Sequence, residues 1–155
     1  MCGIAAIYNY KLLSKVSRNE LYEINSAMIK RGPDGEGIWI SEDEYIGLGH
    51  RRLSILDESD KGSQPMQSKS GRYLITFNGE IYNYPFLRKE LENTGFILNS
   101  NSDTETLIEL FEIKGLRLFS ELRGMFALAI WDNRNKELIL ARDPYGIKPL
   151  YYSDD

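Results

Sequence analysis

A chain of 155 residues, 42% hydrophobic and 27% charged with a net charge of −4, has the length and balance of one globular domain with a substantial core. Its mixed charges leave no basic patch for nucleic acid and no polybasic tail for a membrane surface. One cysteine and one histidine exclude an internal disulfide framework, a Cys-rich metal site and, without several carboxylates, a His-based metal cluster. No apolar run approaches the ~18–20 residues that span a bilayer. The polar run Tyr8-Asn9-Tyr10-Lys11 breaks the N-terminal apolar stretch, so no signal peptide is expected. A cytoplasmic, reducing location follows as the default, and it keeps the lone thiol free.

That thiol is Cys2, directly behind the initiator methionine. Methionine preceding a small residue is a target for removal. Its loss gives one residue both a thiol and a free α-amino group. With ordinary pKa values of ~8.5 and ~7.7–8.0, the pair is a nucleophile with its own general base. A single Cys near an apolar strand is also, more plainly, a small core hydrophobe.

Residues 3–7 read as a short apolar strand buried on both faces. Residues 17–30 read as a helix capped by Ser17, with Glu20 at the capping-box position. Leu21, Tyr22, Ile24, Ala27, Met28 and Ile29 give it a wide apolar face. Arg31-Gly32-Pro33-Asp34-Gly35-Glu36-Gly37 predicts a tight loop. Residues 37–40 and 45–49 read as two strands around a polar turn. The stretch 50–57 follows, with Leu53, Ile55 and Leu56 as anchors. Residues 57–66 are a candidate mobile flap.

Residues 72–77 alternate toward a strand, and Asn78-Gly79 is a strong turn signal, with 81–82 as the return strand. Asn83 is positioned to cap a helix through Leu91 that stops at Thr94-Gly95. Ser102-Asp103-Thr104-Glu105 is a second capping-box pattern, opening a helix to about Lys114 with the stripe Leu107, Leu110 and Phe111. A short helix to Leu122, a hydrophobic strand over 125–131, a turn at 132–135, its antiparallel partner over 137–141 and a structured loop over 142–149 complete the chain. Strands in hairpin runs with helices grouped separately imply an α+β layered domain with antiparallel sheets.

Several polar residues fit an acyl-transfer site. Arg52 forks two donors suited to a carboxylate. Glu80 and Asp103 are acceptors for an ammonium, although a helix N-terminus also accounts for Asp103. Asn78-Gly79 offers a side-chain NH₂ beside a backbone N–H, the donor pair an oxyanion requires. An α-amino acid with a reactive carbonyl matches this set. His50 is expected to be structural, in the strand that positions Arg52.

Cys2-Gly3-Ile4, Arg31-Gly32-Pro33-Asp34-Gly35, His50-Arg51-Arg52-Leu53-Ser54-Ile55, Gln64-Pro65-Met66, Asn78-Gly79-Glu80-Ile81-Tyr82-Asn83, Ser102-Asp103-Thr104-Glu105, Arg123-Gly124-Met125-Phe126-Ala127 and the run from Ala141 to Tyr152 occur in order. Together they resemble the N-terminal glutaminase domain of glutamine-hydrolysing asparagine synthetases. These are class II glutamine amidotransferases of the N-terminal nucleophile hydrolase fold. The resemblance implies a four-layer αββα sandwich of two mainly antiparallel sheets over residues 1–155. It also implies that the C-terminal strands of the full domain and the ATP-dependent synthetase domain lie outside these residues.

By the same resemblance Cys2 is the nucleophile, and Asn78 and Gly79 are the oxyanion donors. Arg52 grips the glutamine α-carboxylate, Glu80 and Asp103 lie near its α-amino group, and backbone from Leu53 through Ile55 to Leu56 lines the pocket. Glutamine is then hydrolysed to glutamate and ammonia with no metal or organic cofactor. ATP and Mg belong only to the synthetase half. The implied partner is a synthetase domain or subunit of ATP-pyrophosphatase fold, amidating aspartate or a related acid, and a homodimer is left open. Two other readings stand beside it. One is a non-catalytic glutamine-binding or interaction module, disabled by truncation or by retained Met1. The other is a hydrolase of a different amide.

Overall fold

A computed structural model describes residues 1–54 and 60–154. Two antiparallel sheets form its centre. The first contains β1 (Gly3–Tyr8), β2 (Gly35–Ile40) and β3 (Ile46–Arg52) in the order β1-β3-β2. The second contains β4 (Met66–Gln67), β5 (Tyr73–Ile81), β6 (Gly124–Asp132) and β7 (Glu137–Arg142) in sequence order. Helix α1 (Arg18–Ala27) covers the first sheet, and α3 (Asp103–Lys114), packed on α2 (Tyr84–Asn93), covers the second. The layers therefore run α, β, β, α, as the αββα expectation requires.

Alternation along the strands builds two cores. Leu74, Ala129 and Trp131 meet Ile46 and Leu48 between the sheets. On the other face Ile75, Phe77, Phe126, Leu128 and Ile130 pack with Leu91, Leu107, Ile108 and Phe111 from the helices. Helix α1 lies close because β3 offers Gly47, where an added Cβ would sit 2.8 Å from Leu21 Cδ2. Only Leu21 and Asn25 of α1 are buried, while Tyr22, Ile24 and Ile29 are exposed. The expected wide apolar face is thus a narrow one. Strand β1 is likewise half-buried rather than buried on both faces.

The chief correction concerns Asn78-Gly79. The dipeptide is no turn, and β5 runs straight through it, pairing Asn78 with Ala127 and Gly79 with Phe126. Glycine is there for close approach, since a Cβ would fall 2.3 Å from the Met125 carbonyl oxygen. Strand β2 begins at Gly35, inside the predicted loop, because residues 35–37 pair with 50–52. The two-residue β4 begins at the last residue of the expected flap and is too short to carry a periodic signal. Residues 57–59 of that flap lie outside the described residues.

Ser17 accepts from the Glu20 N–H at 3.3 Å, and Ser102 caps α3 by accepting from the Thr104 N–H at 3.1 Å. Glu105 does not close a capping box. Its carboxylate accepts instead from the N–H groups of Asn99 and Ser100 and from the Ser100 hydroxyl. Asn83 stands at the start of α2 without a side-chain cap. It ties α2 to β6 by donating to Glu121 O and accepting from the Arg123 N–H.

Leu128 is fully buried between β6 and the helices, whereas Leu116 is 65% exposed. Leu128→Ala is expected to cost about 2–5 kcal/mol, and Leu116→Ala no more than about 0.5 kcal/mol. Chemical denaturation midpoints check both values.

Candidate functional site: an open edge of β5 beside Cys2

Strand β4 pairs with β5 only at Leu74 and Ile75, so the rest of that edge lies open. Phe126 turns its own N–H and C=O toward Asp143, so Gly79 opposite it is a non-hydrogen-bonded pair. The N–H groups of Phe77, Gly79 and Ile81 consequently point away from β6, toward the open edge. Gln64 Oε1 accepts from the Phe77 N–H at 2.6 Å. Asp103 Oδ2 accepts from the Ile81 N–H at 3.1 Å. Between them the Gly79 N–H has no acceptor among the described residues, and the Asn78 side-chain NH₂ likewise donates to none. This open pair of donors is the distinctive feature of the edge.

It faces an open cleft of ≈ 190 Å³, lined by Cys2, Arg52, Leu53, Asn78, Gly79, Glu80 and Asp103. Seven of the residues expected from the sequence therefore share one cavity. Ile55 and Leu56 lie outside the described residues. Cys2 sits one residue before β1, clamped by the Leu53 backbone. Its Sγ accepts from the Leu53 N–H at 3.4 Å and its S–H donates to Leu53 O at 3.7 Å. Arg31 Nε donates to the Cys2 carbonyl at 3.2 Å, fixing the backbone from the other side. Arg52 enters from the end of β3, Glu80 from β5 and Asp103 from the first turn of α3.

Burial dominates the electrostatics. His50 is 1% exposed, and its Nε2 lies 3.2 Å from Phe77 O, to which the neutral ring donates. Burial, with Arg52 adding repulsion, pushes its pKa down to about 4 against the partial support of the Phe77 carbonyl. The ring is thus neutral at physiological pH and holds the strand that carries Arg52, in the structural role expected of it. Asp103 moves the other way. Burial pushes it up to about 6, Glu80 adds repulsion, and the Ile81 and Thr104 N–H groups oppose the rise. Among the described residues no three His, Cys, Asp or Glu side chains gather as a metal site.

Gln64, Thr104 and Lys148 also line the cleft, and the residue-by-residue reading gave them no role. Gln64 spans it, accepting from the Phe77 N–H and donating through Nε2 to Thr104 Oγ1 at 3.2 Å. Gln64 and Lys148 fell inside the motifs Gln64-Pro65-Met66 and Ala141–Tyr152. Nothing local marks either as pointing into a cavity.

All 155 residues match the glutamine amidotransferase domain family, and the chain belongs to that family. It is 44% identical over 155 residues to asparagine synthetase [glutamine-hydrolyzing] 1 of Bacillus subtilis, covering 99% of this chain and 24% of that protein. It is 39% identical to amidase chry2 of Gibberella zeae, again covering 99% of this chain and 24% of the relative. The chain thus spans about a quarter of the length of these curated relatives. Among solved structures, glutamine phosphoribosylpyrophosphate amidotransferase from B. subtilis superposes with a TM-score of 0.73 at 22% identity, over 96% of this chain and 38% of that one. That likeness, at this identity, is one of fold. No helix among the described residues is long and apolar enough to cross a membrane.

The two shifted groups have opposite effects on stability. Unfolded His50 takes up a proton near pH 6.5 while the folded ring resists until about 4, so its contribution is intact above 6.5 and is lost as pH falls toward 4. Folded Asp103 keeps its proton up to about 6 while the unfolded chain releases it near 3.8, so its contribution is intact below 3.8 and is lost as pH rises through 6. Over pH 4–6 the two slopes offset each other. Asp103→Asn is expected to steepen the loss of stability on acidification across that window. His50→Gln, which keeps a donor for Phe77 O, is expected to make stability fall with rising pH. Urea midpoints at half-unit pH intervals read both effects, and profiles parallel to the parent's would contradict them.

Proposed function

We propose that the cleft hydrolyses L-glutamine to glutamate and ammonia through Cys2. Loss of Met1 frees the Cys2 α-amine, which takes the thiol proton. The thiolate attacks the side-chain amide carbon of glutamine, and the new oxyanion accepts from the Gly79 N–H and the Asn78 NH₂. The C–N bond breaks as the Cys2 α-ammonium returns its proton to the departing nitrogen, which leaves as ammonia. Water then cleaves the γ-glutamyl thioester, giving glutamate and restoring the thiol. The unused Gly79 N–H, between two amides that side chains occupy, is the observation that carries this reading.

Substrate choice follows from the other end of the cleft. Arg52 takes the α-carboxylate as a fork, while Asp103 and Glu80 take the α-ammonium. An acid pushed up to about 6 by burial and a like charge is an acid short of a cation, and an ammonium supplies one. No cofactor is needed for this half of the chemistry. In the complete process the ammonia passes to an ATP- and Mg-dependent synthetase domain or subunit, which amidates aspartate or a related acid in the cytoplasm. The relatives' names support that assignment. A chain that keeps Met1, whose side chain lines the same cleft, would instead be a glutamine-binding module without chemistry.

With Met1 loss verified by intact mass, the chain is expected to release glutamate and ammonia in equal amounts. Cys2→Ala should abolish release and stoichiometric labelling by 6-diazo-5-oxo-norleucine. A processed chain that binds glutamine but neither hydrolyses it nor labels would establish the binding module. Capped glutamine peptides, lacking the charges that Arg52 and Asp103 read, should be poor substrates. The KM for glutamine should rise on acidification below about pH 6, by up to tenfold per unit, as Asp103 takes up its proton. In Asp103→Asn the KM should be high at every pH and free of that dependence. A pH-independent KM in the parent would remove Asp103 from the ammonium site.

A further inference from the structure

Lys148 is 5% exposed, yet no carboxylate pairs with it among the described residues. Its Nζ donates to Met1 Sδ at 3.0 Å, and a thioether is a weak acceptor. A buried ammonium resting on sulfur is costly unless something else uses its charge. Its placement is firm. Asp143, 1% exposed, accepts from the N–H groups of Phe126, Tyr145, Ile147 and Lys148. Burial works against the Asp143 charge, but those four donors outweigh it and hold the carboxyl below its usual range. The loop after β7 is thereby pinned to β6 at the residue opposite Gly79, and it aims Lys148 into the cleft beside Cys2.

Loss of Met1 takes away the thioether and leaves this cation in the cleft that Cys2 also lines. We propose that Lys148 is a positioning residue acting through Cys2, its charge favouring the form of the thiol–amine pair that holds a single shared proton at neutral pH. A nearby positive charge disfavours the doubly protonated pair of thiol and α-ammonium, so its excess proton leaves more easily. The proton of the thiol still passes to the amine, and no further reagent enters. The other charged or titratable groups that share a cavity with Cys2 are Arg52 and His50 from β3, Glu80 from β5, Asp103 from α3, Tyr151 from the C-terminal stretch, and Arg31, which bonds the Cys2 carbonyl. The two acids pull the other way, and Lys148 joins Arg52 and Arg31 in offsetting them. The proposal rests on the glutaminase reading for its purpose but not for its test.

The test is the rate of Cys2 alkylation by iodoacetamide from pH 5 to 10, on chains whose Met1 loss is verified by mass and whose fold is verified by circular dichroism. Lys148→Met is expected to raise the midpoint of the rate profile by about one pH unit relative to the parent. Lys148→Arg, which keeps the charge, should stay within a few tenths of a unit of the parent. Lys148→Gln serves the same comparison where the methionine variant does not fold. An unchanged midpoint in the neutral variants, or an arginine variant shifted as far as they are, overturns the proposal. Glutamate release measured on the same samples separates the two ideas. A shifted midpoint without hydrolysis leaves Lys148 in its role and removes the glutaminase, and hydrolysis without a shift does the reverse.

Discussion

The site depends on how one strand edge is finished. A β-strand presents an N–H toward each neighbour at alternate residues, and an unpaired buried donor is costly. Along the open side of β5, Phe77 is satisfied by Gln64 and Ile81 by Asp103, each from a different element. Gly79 lies between them with no acceptor for its N–H among the described residues, and the Asn78 NH₂ adds a second open donor. The absence of a Cβ at Gly79 lets β5 and β6 close up there. The flanking side chains fix the edge on both sides, so the free donors are held without having to reorganise when charge develops. Cys2 then needs only to be brought to the same opening, which the Leu53 backbone and Arg31 accomplish.

The same edge links the chemistry to the substrate's charges. Asp103 both finishes the Ile81 amide and faces the cleft, so one carboxyl serves the strand and, in the proposed reaction, the substrate ammonium. His50 completes Phe77 on the same edge by donating to its carbonyl, and stays neutral in doing so. Gln64 connects Phe77 to Thr104, the residue after Asp103. Movement of any of these elements would disturb both ends of the bound amino acid. The site behaves as one unit, and single substitutions within it should not be additive.

Much of this was legible in the sequence, for identifiable reasons. Cys2 could be read because it is chemically singular, and Arg52, Asp103, Asn78 and Gly79 because their donor and acceptor types match one kind of ligand. The long periodic elements could be read because burial repeats along them, as in β6 and α3. Asn78-Gly79 was misread as a turn because the same dipeptide that suits a hairpin also suits a strand requiring close approach. Local sequence cannot show the Met125 carbonyl that decides between them. Glu105 was misassigned for a related reason, since its true partners, Asn99 and Ser100, precede the cap. Gln64 and Lys148 carried no signal of their own. Their positions follow from a two-residue strand and a loop organised around Asp143, which only the folded chain displays.

The central claim is that the Gly79 N–H is an unused donor waiting for an oxyanion. Amide NMR of the Met1-processed chain tests it directly, using the aldehyde analogue of glutamine, whose carbonyl forms a tetrahedral adduct with a thiolate. Upon adduct formation the Gly79 amide proton should move downfield and its exchange with solvent should slow, while the Phe77 and Ile81 amides, already bonded, change little. A Gly79 amide that is protected before the analogue is added, or unmoved afterwards while Cys2 is fully modified, would contradict the account.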